Sequence, residues 1–563
     1  AVGTELTWTA PPLTLGDYDA ALRVTPADGP IEHFAYRLRI VHVSDPTSSF
    51  QLVGHFSPGR SNDAELVERL ALYQDGYGLD TLSLGAMRHT AALSDDATPT
   101  LERPAVVRRL PWLDAMVAAQ GRHLWTDFDA QTVILATHGA SGDYLPTEPC
   151  VFSPQYEQAV RDKLAPLLDV QRQRIGLIST ETIDEPHLYP SNVCRCQQCL
   201  AEYAGRYGEP MPTWEELVGD QTVRRWRLFQ WLEDYTTRAF ETAYRVKQEL
   251  APELHLHNTA IDRLFSSNFM FNAIHRWAKF GDELYMACYP WAYHVWRGRW
   301  QAPHSQTHWI AAWIRGLARQ YDPPWGVFME LWEHDAPNKR LPAYWSVGQF
   351  YALLAEGATR MDTFYISFGV EVFGISEPRA REFGDEIRKV RPFFPLLAQT
   401  RRPDGRIAFI NPWCEWVMNP APHRLPPNHE GYGYYRQYGA PFDGQWPHEN
   451  RRMLAYELFH RAMRDVDQVD EQLFCEQNIH RDVVVVTDCR FLMQRTMDRL
   501  TAFVERGGVL VLDCQPSRNE SGEETQFVAH LTAAGADEAV AVAPGMCCRR
   551  YRHGEGAVLP FSC

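Results

Sequence analysis

The sequence predicts an α/β protein: a (β/α)8 barrel, then a doubly wound α/β block, with a small β segment ahead of both. Three observations carry that expectation. From residue 49 onward, apolar strand-like runs alternate with amphipathic helical stretches at crossover spacing. Eight such runs fall before residue 395. Beyond it a second alternation begins, "RDVVVVTD" followed by "TMDRLTAFVERGGVLVLD", in which a glycine pair separates helix from strand.

Residues 1–48 hold short strand-like runs such as "YRLRIVHV" and no helical period, so a β appendage is expected there. "FQLVGHFS" opens the barrel. The first helix follows: Asn62 and Glu65 form a cap pair, Leu66, Val67, Leu70, Tyr73 and Tyr77 make one apolar face, and Gly78 ends it. The remaining strands are "LDTLSLG", "HLWTDF", "IGLISTETIDE", "LHLHNTA", "ELYMACYP", "WGVFME" and "MDTFYISFG". Eight strands over residues 49–395 fit a barrel with insertions. Residues 396–563 form the second block, beginning near "RRPDGRIAFINPW". No GxGxxG follows its first strand, so assembly is a better expectation for it than dinucleotide binding. The Pro-, Gly- and aromatic-rich stretch "NPAPHRLPPNHEGYGYYRQYGAPFDGQWPHEN" is long for a loop and is expected to be functional or interfacial.

Composition narrows the function. A net charge of −16 opposes binding to a phosphate backbone, which rests on clustered Lys and Arg, so nucleic acid is set aside. No run reaches the roughly 18–20 apolar residues of a membrane span, and "AVGTELTWTA" lacks the features of a signal peptide. A soluble, cytoplasmic protein is expected. The heavy aromatic load, with 18 Trp and 24 Tyr, suits a sugar-binding cleft, although core packing is the commoner use.

Twelve cysteines in 563 residues do not make a disulfide scaffold. Cys194, Cys196 and Cys199 stand in C-x-C-x-x-C spacing and can turn three thiolates toward one centre. A structural zinc takes four ligands, and Cys150 would supply the fourth. With four sulfurs bound, no position remains for an activated water, so the metal would brace the chain rather than react. Zinc-dependent hydrolysis would need one cysteine unligated, and three unrelated thiols is the plainer alternative. Cys288, Cys414, Cys475, Cys489 and Cys514 read as small core residues, while the adjacent Cys547 and Cys548 have no reading.

Barrel chemistry sits at the C-terminal ends of strands. Glu185 closes "IGLISTETIDE" and Glu330 closes "WGVFME", the fourth and seventh strands. Retaining glycoside hydrolysis needs two carboxyls about 5–5.5 Å apart, one to protonate the leaving oxygen and one to attack the anomeric carbon. A lone strand-end Glu is more often a cap or an ion-pair partner; the pair carries the weight. Glu181 and Glu333 compete less well, the first inside its strand and the second three residues past one. Trp291, Trp332 and Asn258 are candidate linings of a sugar pocket, with His257, His334 and Asp335 similarly placed.

Taken together, "PCVFSPQYEQAVRDKL", then "DEP", then "CRCQQCLAEYAGRYG" is similar to glycoside hydrolase family 42, the β-galactosidases. The resemblance implies a clan A barrel in which Glu185 is the acid/base, Glu330 of "VFMELWEHD" the nucleophile, and Cys150, Cys194, Cys196 and Cys199 the ligands of a structural zinc. It also implies a flavodoxin-like trimerisation domain at "GRIAFINPW" to "GGVLVLDC", hence a homotrimer acting on a carbohydrate. Two positions depart from the family pattern. Asp184 stands where clan A enzymes usually carry Asn, and Pro146 where the galactosidases carry Arg. A carboxylate beside the sugar 2-position suits a 2-amino group, and certain exo-β-glucosaminidases look similar in having Asp there. The expected activity is therefore that of a retaining, exo-acting, β-galactosidase-like β-glycosidase. An exo-β-D-glucosaminidase and a catalytically inactive sugar-binding or assembly protein are the alternatives.

Overall fold

In the computed structural model the described residues are 16–24, 32–40, 51–56, 81–83, 123–127, 149–172, 177–183, 193–217, 222–261, 274–288, 303–321, 323–330, 343–366, 377–418, 447–462, 466–477, 481–533, 535–543 and 546–560. The helix expected between Asn62 and Gly78, most of the aromatic-rich loop, and the side chains of Cys547 and Cys548 lie outside what is described. Among the described residues no helix is long and apolar enough to cross a membrane.

Strands β1 (Gly16–Val24) and β2 (Glu32–Ile40) pair antiparallel along their whole length as a separate two-stranded sheet. The next eight are β3 (Gln51–Phe56), β4 (Thr81–Ser83), β5 (His123–Asp127), β6 (Leu177–Ile183), β7 (Leu256–Ile261), β8 (Glu283–Cys288), β9 (Trp325–Glu330) and β10 (Arg360–Ile366). Each pairs in parallel with its neighbour in sequence, and β10 returns to pair with β3, which closes the ring. This is a TIM-barrel-like α/β fold, and each of the eight expected runs contributes one strand to it. Such strands are covered on both faces, which is why they read as continuous apolar runs.

Helices α1 (Tyr156–Arg172), α2 (Gln197–Tyr207), α3 (Val223–Leu250), α4 (Pro303–Tyr321) and α5 (Ala343–Glu356) lie between the later barrel strands. Helix α3 begins where the Thr222 hydroxyl accepts from the Arg224 backbone N–H at 3.4 Å, satisfying one of the free donors of its first turn.

The C-terminal part contains helices α6 (Trp413–Met418), α7 (Pro447–Arg461), α8 (Glu471–Glu476) and α9 (Gln494–Glu505). Its sheet runs β12 (Val466–Asp470), β11 (Ile407–Asn411), β13 (Val483–Val486), β14 (Val509–Leu512), β17 (Gly556–Pro560), β16 (Met546–His553) and β15 (Ala536–Ala543). The first five are mutually parallel in the order 2-1-3-4-5, the flavodoxin order, and β15 and β16 add an antiparallel edge. Between α9 and β14 the chain turns at Gly507, whose φ of +101° is a conformation that side-chain-bearing residues rarely adopt.

Helix α4 joins the barrel to this sheet. Its run from Trp309 to Ile314 is buried on every face, because the helix packs against β8 and β9 on one side and β12 on the other. Gly316 passes so close to the Gln468 carbonyl that a Cβ there would collide with it. The polar groups trapped at the contact are paired: the Gln468 amide donates to Trp309 O at 2.5 Å, Trp313 Nε1 donates to Asp470 at 3.0 Å, and Arg315 donates to Val466 O at 2.8 Å.

A second polar contact in this junction titrates. Glu233 of α3 is fully buried and accepts from Trp413 Nε1 at 2.5 Å and Gln472 Nε2 at 3.3 Å, with Arg276 at 3.3 Å. Burial pushes its carboxyl up to about 7 from an ordinary 4.5, outweighing the Arg276 charge. The folded state therefore holds a proton that the unfolded state has lost, and the associated stability is fully present below pH 4.5 and gone above about 7. The interval corresponds to about 3 kcal/mol. Glu233→Gln is expected to flatten the fall in unfolding free energy across that window and to be the more stable form at pH 8. Denaturant melts at pH 5 and pH 8 check it, and an unchanged slope in the variant would refute it.

Candidate functional site

The four cysteines converge. Cys150 stands at a turn ahead of α1, where its carbonyl accepts from Ser153 N at 2.7 Å and its sulfur from Phe152 N at 3.5 Å. Cys194 and Cys196 precede α2, and Cys196 is its N-cap, its sulfur accepting from Cys199 N at 3.4 Å. Cys199 lies in the first turn with no exposed surface. The C-x-C-x-x-C spacing thus wraps three sulfurs around one helix N-terminus, whose partial positive charge favours thiolates. All four Sγ atoms lie within 4.8 Å of one another, and Cys150 Sγ is 3.1 Å from Cys199 Sγ.

None of these four cysteines is in a disulfide. Cys194 is pushed down to about 2 because Cys150 and Cys199 donate hydrogen bonds to it. Cys150 rises to about 12 and Cys199 also rises, their protons being held in those bonds. One negative charge is therefore easily accommodated, while further ones need a cation. Zinc–sulfur bonds of about 2.3 Å at tetrahedral angles put sulfurs roughly 3.8 Å apart. The donor set and spacing fit a closed, structural zinc site.

The surroundings hold the cluster firmly. Phe152 stacks on Trp231 of α3 at 4.4 Å, and Tyr203 of α2 meets that ring edge-on at 5.6 Å. Arg195 clamps the chain after α2 by donating to Met211 O at 2.8 Å and Pro212 O at 2.9 Å. The segment between the end of β6 at Ile183 and Cys194 is the one that carries Asp184 and Glu185.

The structure describes part of the predicted site. Glu330 is the last residue of β9, its backbone paired with Phe364 of β10, and β6 and β9 stand three places apart round the eight-stranded ring. Asp184, Glu185, Trp291 and Trp332 lie outside the described residues, as do Glu333, His334 and Asp335. Asn258 needs correction. It is the third residue of β7 rather than its end, it is buried, and its amide donates to Phe280 O at 2.8 Å just ahead of β8. That bond sits at the strands' N-terminal rim, so Asn258 braces the barrel floor and does not line the mouth. His257 beside it is likewise buried, its Nδ1 2.7 Å from Ser179 Oγ.

Sequence reading missed the polar interior of the barrel. Glu283 opens β8 and Arg360 opens β10, and they pair at 3.2 Å with both side chains buried. Each looks in sequence like an ordinary charged residue at a strand boundary; only the register of the ring brings them together.

No family model and no curated protein matches the chain. Solved structures do. Gan42B, a GH42 β-galactosidase from G. stearothermophilus, superposes with a TM-score of 0.65 at 14% identity, over 92% of this chain and 85% of that one. The fold is that of the GH42 β-galactosidases. The β-galactosidase from Rahnella sp. R3 gives 0.64 at 14% identity, over 92% and 86% of the two chains. The exo-β-1,4-mannosidase Op5Man5 from Opitutaceae bacterium strain TAV5 gives 0.53 at 12%, over 91% of each. The likeness to the GH42 enzymes spans the barrel and the C-terminal sheet together, in agreement with the resemblance seen at the cysteines and at "VFMELWEHD".

Proposed function

We propose that the chain is a retaining, exo-acting β-glycosidase with β-galactosidase-like chemistry. The observation that carries the reading is the convergence of Cys150, from the turn before α1, with Cys194, Cys196 and Cys199, which follow the fourth barrel strand, in a fold shared with GH42 enzymes. The Glu330 carboxylate attacks the anomeric carbon while Glu185 gives its proton to the departing oxygen. Glu185, now a base, takes a proton from water, which displaces Glu330 and restores both groups. Two inversions leave the configuration unchanged. Asp184, beside Glu185, raises the cost of ionising it and so favours the protonated acid at the start of the cycle.

The four-cysteine site would hold a structural zinc that fixes the far end of the Glu185 segment. Residues 1–48 are assigned to a β segment, 49–395 to the catalytic barrel and 396–563 to a trimerisation-type unit, giving a homotrimer with a carbohydrate substrate. Asp184 supports a second reading, cleavage of a 2-amino sugar, since a carboxylate accepts a charge-assisted bond from an ammonium. Initial rates on matched aryl β-galactoside and aryl β-glucosaminide decide between them. Turnover of the galactoside supports the first reading and turnover of the glucosaminide alone the second. An anomer of inverted configuration in the first-formed product would overturn the mechanism in both.

A further inference from the structure

Away from the barrel mouth and the cysteines, another group of ligand-type side chains converges where helices of the barrel and of the C-terminal part meet. His308 lies on α4, Glu356 closes α5, and His460 stands near the end of α7. Their ligand atoms all lie within 4.8 Å of one another. His308 Nδ1 is 2.8 Å and His460 Nδ1 3.8 Å from the same atom, Glu356 Oε1. The two imidazole rings are 4.2 Å apart, centre to centre.

We propose that His308, Glu356 and His460 form a metal site for a divalent ion of the zinc class, clamping the barrel to the C-terminal sheet. Hydrogen bonding accounts for only half of the arrangement. His308 Nδ1 and Glu356 Oε1 satisfy each other, whereas His460 Nδ1 is buried with no hydrogen-bond partner among the described residues. A buried nitrogen in that state is costly and calls for a ligand. An ion bound by all three groups turns its lone pair into a coordinate bond.

The spacing agrees. Bonds of about 2.0–2.1 Å at tetrahedral angles separate ligand atoms by roughly 3.3 Å. The observed 2.8 and 3.8 Å lie on either side of that value, within reach of small side-chain adjustments. The other carboxylate oxygen, Oε2, is held by Arg315 and Arg402, which fix the orientation of Glu356 and leave Oε1 to face the imidazoles. The same guanidiniums repel cations held by charge alone, so calcium and magnesium are disfavoured. A borderline ion that bonds covalently to imidazole is favoured. The inference does not depend on the glycosidase reading.

The test uses the full chain, stripped with chelator and reloaded with Zn2+ or Co2+, with metal per chain measured by mass spectrometry. Cobalt reports the two sites separately, because thiolate ligands give an intense charge-transfer band and a nitrogen–oxygen set gives d–d bands alone. The expected result is a second equivalent beyond the cysteine site, retained without the thiolate band in a Cys194→Ser/Cys199→Ser chain. His308→Ala with His460→Gln is expected to lose that equivalent and keep the thiolate band. His460→Gln alone, at a partly exposed position, is expected to weaken the site at least about tenfold with unchanged circular dichroism. A wild-type chain that takes only the thiolate-bound equivalent overturns the proposal. So does a second equivalent that survives both histidine changes, which would be an adventitious ion only.

Discussion

Glu330→Gln is expected to reduce kcat by roughly 10⁴-fold or more, the scale reached when a covalent nucleophile is removed. An amide of the same shape cannot form the glycosyl ester, so binding survives and chemistry does not. Glu330 is the last residue of β9, where the strand opens into the loop that follows it, and Gln keeps the size of the Glu side chain. Glu185→Gln is expected to behave differently. Losing general acid–base help costs about 10²–10⁴-fold, but the loss falls unevenly on the two steps. An aryl leaving group that departs as a stable anion needs no proton, so its glycosyl–enzyme still forms, and the slow second step then appears as a burst of released aryl alcohol. Burst kinetics in Glu185→Gln and none in Glu330→Gln is the expected pattern. Near-normal turnover in Glu330→Gln would remove it from the role of nucleophile.

With the proposed zinc in the four-cysteine site, Cys199→Ser is expected to lose it and to lower stability by more than the roughly 0.5–3 kcal/mol of most point changes, loss of a bound metal being among the mechanisms of larger effects. Its sulfur has no exposed surface and stands against Cys150 from the other side of the cluster, so its loss unties α2 from the turn before α1. Cys196→Ser makes an informative contrast. Cys196 is exposed and caps α2, a task that a serine hydroxyl performs at least as well, so the helix keeps its start while the metal loses a ligand. Zinc content should fall in both variants, and the melting temperature should fall further for Cys199→Ser. Equal zinc and equal melting in Cys199→Ser and the parent would leave the cluster without a structural role.

The barrel strands were legible because strands of a parallel barrel are typically covered on both faces and so written as apolar runs: "WGVFME" is β9 from end to end, and "ELYMACYP" yields β8 as Glu283–Cys288. The cysteine centre was legible because three of its members are neighbours on one helix start. Other features had no local signature. His308, Glu356 and His460 come from three helices, and no short motif could pair them. Asn258 was misplaced because it sits in the middle of its strand and its amide turns toward the Phe280 carbonyl ahead of β8, a direction the sequence does not encode. The antiparallel strands β15 and β16 carry "ADEAVAVA" and "MCCRRYRH"; β16 pairs on both sides, with β15 and β17, yet its run of three arginines in four residues does not read as an apolar strand. Helix α4 was readable as amphipathic only in part, since one helix serves two cores and has no solvent face along its middle.

That double service bears on how such a chain can be cut and how it can diverge. A shortened chain ending before β11 would leave Trp309 and Trp313 facing water and strip the Trp309 carbonyl and the Trp313 indole of their partners on β12. Gly316 would lose the neighbour that requires it to be glycine. The C-terminal sheet is thus not a cartridge that can be exchanged for another assembly unit while the barrel stays as it is. Substitutions on α4 and β12 must be inherited as matched sets, and a recombinant boundary belongs outside the pair.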